Sequence, residues 1–403
     1  MNNSFTRNVP LLALSQAMMV SAMSLIVSTS ALVGYNLASD KSYATAPLAV
    51  GLIATMVASI PAAMWMQRIG RKAGFMTASL IGIAGSGLLA LSITHHLFWL
   101  FISASVLIGI FNAFGNYYRF TAADAVDEEH KSRAISFVLA GGVIAAVVGP
   151  NLANYTKFLI PNAEFAASYA ILMVFYAVSL ILQGLLRLPK QTDLLHAHEP
   201  GTARPLREIV RQPKFIVAVI CGMLGYGIMS FVMTATPLAM QHRHMPFSDT
   251  AFVIQWHVLG MFVPSFFTGN LINRFGVKKI MLVGTLVGLG CAAINIVGSS
   301  TTHFFYGLLL LGISWNFLFV GATALLTETY HPAERFKTQA VNDFIVFTIV
   351  AVSSLSAGVI NHMFGWKVIN YSVIPLYLIA LISIVRLRYT ERRKPVDPVV
   401  VVG

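Results

Sequence analysis

The chain has 403 residues, of which 57% are apolar and only 10% charged, with a net charge of +12 and a mean hydropathy of +0.74. A soluble globular chain carries about 25% charged residues, so this one could not cover a water-facing surface. Soluble enzymes and nucleic-acid binders are thereby excluded, although +12 alone would invite the latter.

At about 20 apolar residues per membrane span, the length leaves room for about twelve helices and no large soluble domain. Twelve apolar segments are read along the chain. The first six are 10–37, 45–66, 73–93, 97–125, 134–156 and 165–187; the second six are 214–241, 248–271, 278–299, 303–328, 338–360 and 368–387. The first run is too long for the apolar region of a signal peptide and reads as an uncleaved first span. Cys221 and Cys291 both fall in apolar runs without metal-ligand spacing, so they read as small buried hydrophobes. Between the sixth and seventh segments lies a polar stretch, 189–213, with His196, His198, Arg204, Arg207 and Arg211. It reads as a cytoplasmic linker with a short surface helix at 205–212. The expected organisation is a six-helix half at 1–188, this linker, and a second six-helix half at 214–403.

Charge placement orients the bundle. One end collects Arg7; Arg68, Arg71 and Lys72; Lys131 and Arg133; Arg187, Lys190, Arg204, Arg207, Arg211 and Lys214; Arg274, Lys278 and Lys279; Arg335 and Lys337; and Arg386, Arg388, Arg392, Arg393 and Lys394. The opposite end has only Lys41, Lys157, Arg243 and Lys367, and Arg119 falls inside a span. The positive-inside rule makes the basic end cytoplasmic, with both termini there.

The chain also repeats. Gln67-Arg68-Ile69-Gly70-Arg71-Lys72 follows the second segment, and Asn273-Arg274-Phe275-Gly276-Val277-Lys278 follows the eighth, 206 residues later. Two halves of six spans are what a carrier with rocking halves needs. Gly70 and Gly276 permit a tight turn, and the cations hold it at the lipid headgroups.

These loops resemble the signature loop of the major facilitator superfamily, G-x-x-x-D-R-x-G-R-K. The resemblance implies the fold of that family, an all-α membrane protein of twelve transmembrane helices in two pseudo-symmetric six-helix halves. Both copies depart at the acidic position, where Gln67 and Asn273 replace Asp. In the family that Asp caps the start of span 11 and closes the cytoplasmic side, so here the latch is expected to be weaker or shared with other groups. Gly149-Pro150, preceded by Gly141-Gly142, partly resembles the family's antiporter motif; Ala145 and Ala153-Asn154 stand where further glycines are usual. Close packing and a bend there would suit a rocking interface. The family's Arg early in span 4 falls near Ile102–Ser103 and is absent.

Ionisable groups inside a membrane are costly and are functional candidates. Arg119 lies about seven residues from the basic end of its span and Asp343 six residues past Lys337. Both are thus roughly 10 Å deep at about 1.5 Å per residue. A pair between them would join the halves as a gate or be competed for by substrate; the alternatives are an Arg119–Asp124 contact and an Asp343 that caps its own helix. Asp124 and Glu328 sit at corresponding helix ends and are expected to pair with Arg68 or Arg274. His257, beside Gln255 and Trp256 near the midplane, is a candidate for proton coupling or substrate contact, or else a neutral interhelical group. In the resembled family spans 4 and 10 line the central cavity, so Asn112, Asn116, Trp315 and Asn316, with Tyr226 and Gln16, are expected to furnish it with amides and rings. Interhelical hydrogen bonding is the other use of such amides. The Met18, Met19 and Met23 stripe reads as packing.

The sequence therefore points to a secondary active transporter of a small organic solute, working by alternating access. Proton-coupled efflux of drug-like or metabolite compounds is the first reading. Proton-coupled uptake of an anionic or aromatic metabolite is the alternative, and a transporter-like receptor a weaker one. No enzyme constellation, cofactor motif, metal site or nucleic-acid partner is indicated. The expected setting is a bacterial cytoplasmic (inner) membrane, as a multi-pass monomer whose partners are the substrate, protons and the lipid bilayer.

Overall fold

In the computed structural model of the chain, residues 3–40, 43, 46–188 and 203–392 are described. Twelve helices among them are long and apolar enough to cross a membrane. Spans 1–6 are Asn3–Leu37, Ala46–Ile69, Arg71–Thr94, Phe98–Asp124, Glu128–Thr156 and Ala166–Gly184. Spans 7–12 are Pro213–Gln241, Ser248–Phe275, Val277–Val297, Thr301–Thr327, Pro332–Asn361 and Met363–Thr390. No strand occurs among the described residues. The chain is an all-α, multi-pass membrane protein.

Large apolar side chains remain outside the bundle, as at Leu80, Ile181, Val297 and Ile382, all more than half exposed. Leaving such a side chain in water forfeits about 1.5–3 kcal/mol, and a bilayer removes that cost. Inside each set of six, span 2 packs on span 4 and span 3 on span 6, while span 8 packs on span 10 and span 9 on span 10. Between the first and second halves, span 5 meets span 8, and span 2 meets the helix that carries spans 11 and 12. The end at which span 1 begins and span 12 finishes, with the turns before spans 3, 5, 9 and 11, is called the basic end below.

Local chemistry explains where the spans break. Gly70 (φ 84°) and Gly276 (φ 86°) make the turns into spans 3 and 9, in a backbone region that only glycine enters readily. Gly365 (φ 78°) turns span 11 into span 12. Span 4 was expected to be continuous but loosens at Asn116–Tyr117, between helices Phe98–Gly115 and Tyr118–Asp124.

The described part of the linker and the end of span 6 before it are both tied down. The expected surface helix is Leu206–Val210. Before it, Arg204 clasps the buried Glu334 carboxylate through Nη2 (2.6 Å) and Nε (2.9 Å), and Lys337 donates to the Arg204 carbonyl. The hydrogen bonds it donates to Glu334 push the Arg204 guanidinium above its ordinary range. On the other side, Arg7 and Lys72 donate to the carbonyls of Leu185 (3.0 Å) and Gly184 (2.5 Å). Lys41, Lys190, His196, His198, Arg393 and Lys394 lie outside the described residues.

Candidate functional site

Arg119 and Asp343 meet. Arg119 Nη2 donates to Asp343 Oδ1 at 2.6 Å, with the side chains 4% and 0% exposed. The guanidinium lies 4.5 Å from the Phe120 ring centre and 4.6 Å from that of Phe319, each contact worth about 0.5–2 kcal/mol. Asn342 Nδ2 also donates to Asp343 Oδ1 (2.9 Å). Among the described residues, Arg119 Nε and Asp343 Oδ2 have no hydrogen-bond partner. Asp343 does not cap span 11, since it stands several residues inside that helix.

A second set of contacts joins the halves at the basic end, and it is not the one expected. Asp124 pairs with Arg71 (2.7 Å), not with Arg68, Arg274 or Arg119. Arg71 is buried, binds Thr121 Oγ1 (2.5 Å), and crosses to the second half to reach Gln339 Oε1 (2.9 Å). Gln339 Nε2 donates to the Tyr330 hydroxyl (2.6 Å), which lies 3.4 Å from Asp124 Oδ1. Burial, and next the Asp124 charge, push the Tyr330 phenol well up, so it stays a protonated donor. Gln67 and Arg68 are exposed, and Gln67 makes no hydrogen bond to span 11. From this loop it is Arg71, beyond the Gly70 turn at the start of span 3, whose side chain reaches span 11. The second loop copy keeps its position: Asn273 Nδ2 donates to the Glu129 carbonyl at the start of span 5 (2.7 Å). Arg133 bonds Asn270 beside it. Arg274 is exposed over Phe275. Glu328 pairs with Lys214 (2.6 Å) rather than with Arg68 or Arg274.

The expected cavity groups separate into two kinds. Asn316 is fully buried and spent between helices, donating to the Met261 carbonyl (2.7 Å) and Ser265 Oγ (2.5 Å) and accepting from Thr268 (2.7 Å). His257 is likewise fully buried, with Nδ1 on the Leu308 carbonyl at 2.8 Å. Both join span 8 to span 10, the interhelical use that was the alternative for each, and His257 Nε2 has no hydrogen-bond partner among the described residues. Asn112, Asn116 and Tyr226 are only half-buried, and Gln255 is exposed. Asn112 touches Met23 Sδ (3.5 Å) across from span 1. Tyr226 packs its ring edge-on against Trp315 (5.5 Å), Phe319 (5.1 Å) and Phe347 (5.7 Å). Trp315 stacks on Phe319 (5.0 Å) and meets Phe262. The same Phe319 lies against Arg119, so the aromatic group is continuous with the ion pair.

Gly149 does not face the other half. A Cβ there would come within 2.7 Å of Ser24 on span 1, whereas one on Gly142 would meet the Phe262 ring of span 8 at 2.5 Å. The halves approach closely at Gly142 and again at Gly269 of span 8, where a Cβ would meet the Ser132 carbonyl oxygen of span 5 at 2.6 Å; the Pro150 side chain lies outside the described ones. Sequence reasoning did not single out Gln339, Tyr330, Phe319 or Gly142 for these contacts. Gln339 carried a usable signal, because it is four residues before Asp343 and so shares its helix face. Among the described residues no group of three or more His, Cys, Asp or Glu could hold a metal ion.

The family model described as Major Facilitator Superfamily matches residues 12–263 and 218–400. The riboflavin transporter RfnT of Brucella anthropi is 40% identical over 380 residues, 94% of this chain and 95% of that protein. Among solved structures, the human organic anion transporter MFSD10 (TETRAN) superposes with a TM-score of 0.77 at 14% identity, covering 95% of this chain and 100% of that one. The transporter FucP in its outward conformation superposes at 0.74 with 16% identity, covering 96% and 99%.

Proposed function

The chain belongs to the major facilitator superfamily, and we propose that it is a secondary carrier bringing a flat heteroaromatic metabolite, riboflavin or a close analogue, into the cell. The observation that carries this reading is the 40% identity to a riboflavin transporter over nearly the whole of both chains. The aromatic group supports it. Tyr226 is half-buried at the edge of Trp315, Phe319 and Phe347, and a planar ring system buries well against such faces. Half-buried amides at Asn112 and Asn116, with the exposed Gln255, suit a polyhydroxylated side chain on a neutral substrate.

We read the direction as inward. The argument for efflux rested on Gly149-Pro150 at the rocking interface, and Gly149 packs within the first half instead. The halves, 1–188 and 214–403 joined by 189–213, exchange access by breaking the Arg119–Asp343 pair. That pair is buried but half satisfied, with one good bond and two idle polar atoms. Protonation of Asp343 would remove the charge that holds Arg119, which is the proposed route of proton coupling. The basic end is read as cytoplasmic, in an inner membrane, with the carrier working as a monomer.

Uptake of labelled riboflavin by a riboflavin-requiring bacterium expressing the chain tests this. Uptake that excess unlabelled riboflavin suppresses is expected. Export of dyes without any riboflavin accumulation would overturn the reading.

A further inference from the structure

Span 4 loosens just before the residues that pair across the halves. Gly115 is pressed against span 1, where a Cβ would collide with Met19 Sδ. Just beyond, the Tyr117 N–H bonds the Phe114 carbonyl three residues back (3.0 Å), and a separate helix runs from Tyr118 to Asp124. That short helix carries Arg119, which meets Asp343, and Thr121 and Asp124, which hold Arg71. A helix that follows a loosened turn does not inherit its rotation from the helix before it. At about 100° per residue, a slip of one residue would aim Arg119 away from span 11. Contacts with the rest of the first half must therefore set the rotation.

Two phenols make those contacts, each with a different neighbour. The Tyr117 hydroxyl donates to the Ser59 carbonyl of span 2 (3.0 Å). The Tyr118 hydroxyl accepts from Gln183 Nε2 of span 6 (2.7 Å), and Gln183 Oε1 accepts from Ser79 Oγ of span 3 (2.9 Å). Both ends of the Gln183 amide are thus used, which fixes its orientation. Tyr118, Gln183 and Ser79 are fully buried, where water does not replace a lost partner. Arg71, Phe75 and Ser79 are spaced four apart and share one face of span 3. The Phe75 ring meets that of Tyr118 edge-on at 4.8 Å. One helix face therefore runs from the Tyr118 hydroxyl to the guanidinium that crosses to Gln339.

We propose that Tyr118 and Gln183 are positioning residues for the gate. Their hydrogen bond holds the Tyr118–Asp124 helix in the rotation that presents Arg119 to Asp343 and Asp124 to Arg71. The short helix then moves with the first half as one body, so opening breaks the contacts between halves and not those within. This role rests on the reading of Arg119–Asp343 as the contact that parts between access states.

The purified full-length chain with a cysteine at Ala340 is labelled with maleimide, a readout of the basic end that needs no riboflavin. Tyr118→Phe keeps the ring on Phe75, and Gln183→Met is close to the native side chain in shape. Each should raise labelling about two- to tenfold, the worth of one neutral hydrogen bond. The matched control is Tyr169→Phe, which removes the hydroxyl of an equally buried phenol that accepts from Thr29 Oγ1 (3.1 Å) within the first half. It should lower the melting temperature as Tyr118→Phe does and leave labelling at the wild-type rate. Wild-type labelling by either Tyr118→Phe or Gln183→Met, or an equal rise in Tyr169→Phe, would reduce the bond to ordinary packing and overturn the proposal. Arg119→Ala, labelled beside them, separates the two readings. If its labelling rises while that of Tyr118→Phe does not, the positioning role alone falls; if its own labelling does not rise, the gate falls and the role with it.

Discussion

Arg119 Nη2 lies 2.6 Å from Asp343 Oδ1, and this contact fastens span 4 of the first half to span 11 of the second. Removing one member of a buried pair leaves an uncompensated charge, at about 3–5 kcal/mol. Arg119→Ala and Asp343→Ala are each expected to abolish uptake and to lower the melting temperature of the purified carrier. The exchange Arg119→Asp with Asp343→Arg is expected to recover part of both. Wild-type uptake by either single variant would remove the pair from the transport cycle.

Gln339, rather than Gln67, reaches across the closed basic end. A hydrogen bond to a charged group contributes about 1.5–3 kcal/mol. Gln339→Ala should therefore raise maleimide labelling of a cysteine placed at the buried Ala340 by about tenfold or more. Gln67→Asp, which restores the family's acidic residue, should leave labelling unchanged because that side chain is exposed. The opposite ranking would return the latch to Gln67.

Asn316 binds three partners between spans 8 and 10. Asn316→Ala should cost about 1–3 kcal/mol by stranding buried polar groups, read as a lower melting temperature. Riboflavin affinity of the folded fraction should stay at the wild-type value. Weakened binding at unchanged stability would place the amide in the cavity after all.

Tyr226 has the accessible edge of the aromatic group. Tyr226→Ala should weaken binding about two- to tenfold, the worth of one aromatic pairing, whereas Tyr226→Phe should hold it near wild type. Quenching of flavin fluorescence on titration reads both. Equal losses in the two variants would mean that the hydroxyl, not the ring, meets the substrate.

Much of this was legible in one dimension. Apolar runs and clustered cations are properties of chain position, so the spans, the basic end and the repeat could be read directly. Arg119 and Asp343 could be matched because depth from one end is also a count of residues. Rotation about a helix axis is harder to read. Asn316 follows Asn112 by 204 residues, two short of the 206-residue repeat. At about 100° per residue that is about 200° around the helix, which turns one amide toward span 1 and the other into the seam with span 8. That Arg71 rather than Gln67 meets span 11 has a similar origin. A four-residue step crosses the Gly70 turn into span 3, and only there does the side chain reach span 11.

The most direct test of the central claim is labelled riboflavin uptake into proteoliposomes of the purified wild type beside the Arg119→Ala, Asp343→Ala and charge-exchanged variants. Saturable uptake by the wild type, none by either alanine variant and partial recovery on exchange are the expected results. No riboflavin uptake by the wild type, or full uptake with the Arg119–Asp343 pair removed, would contradict the account.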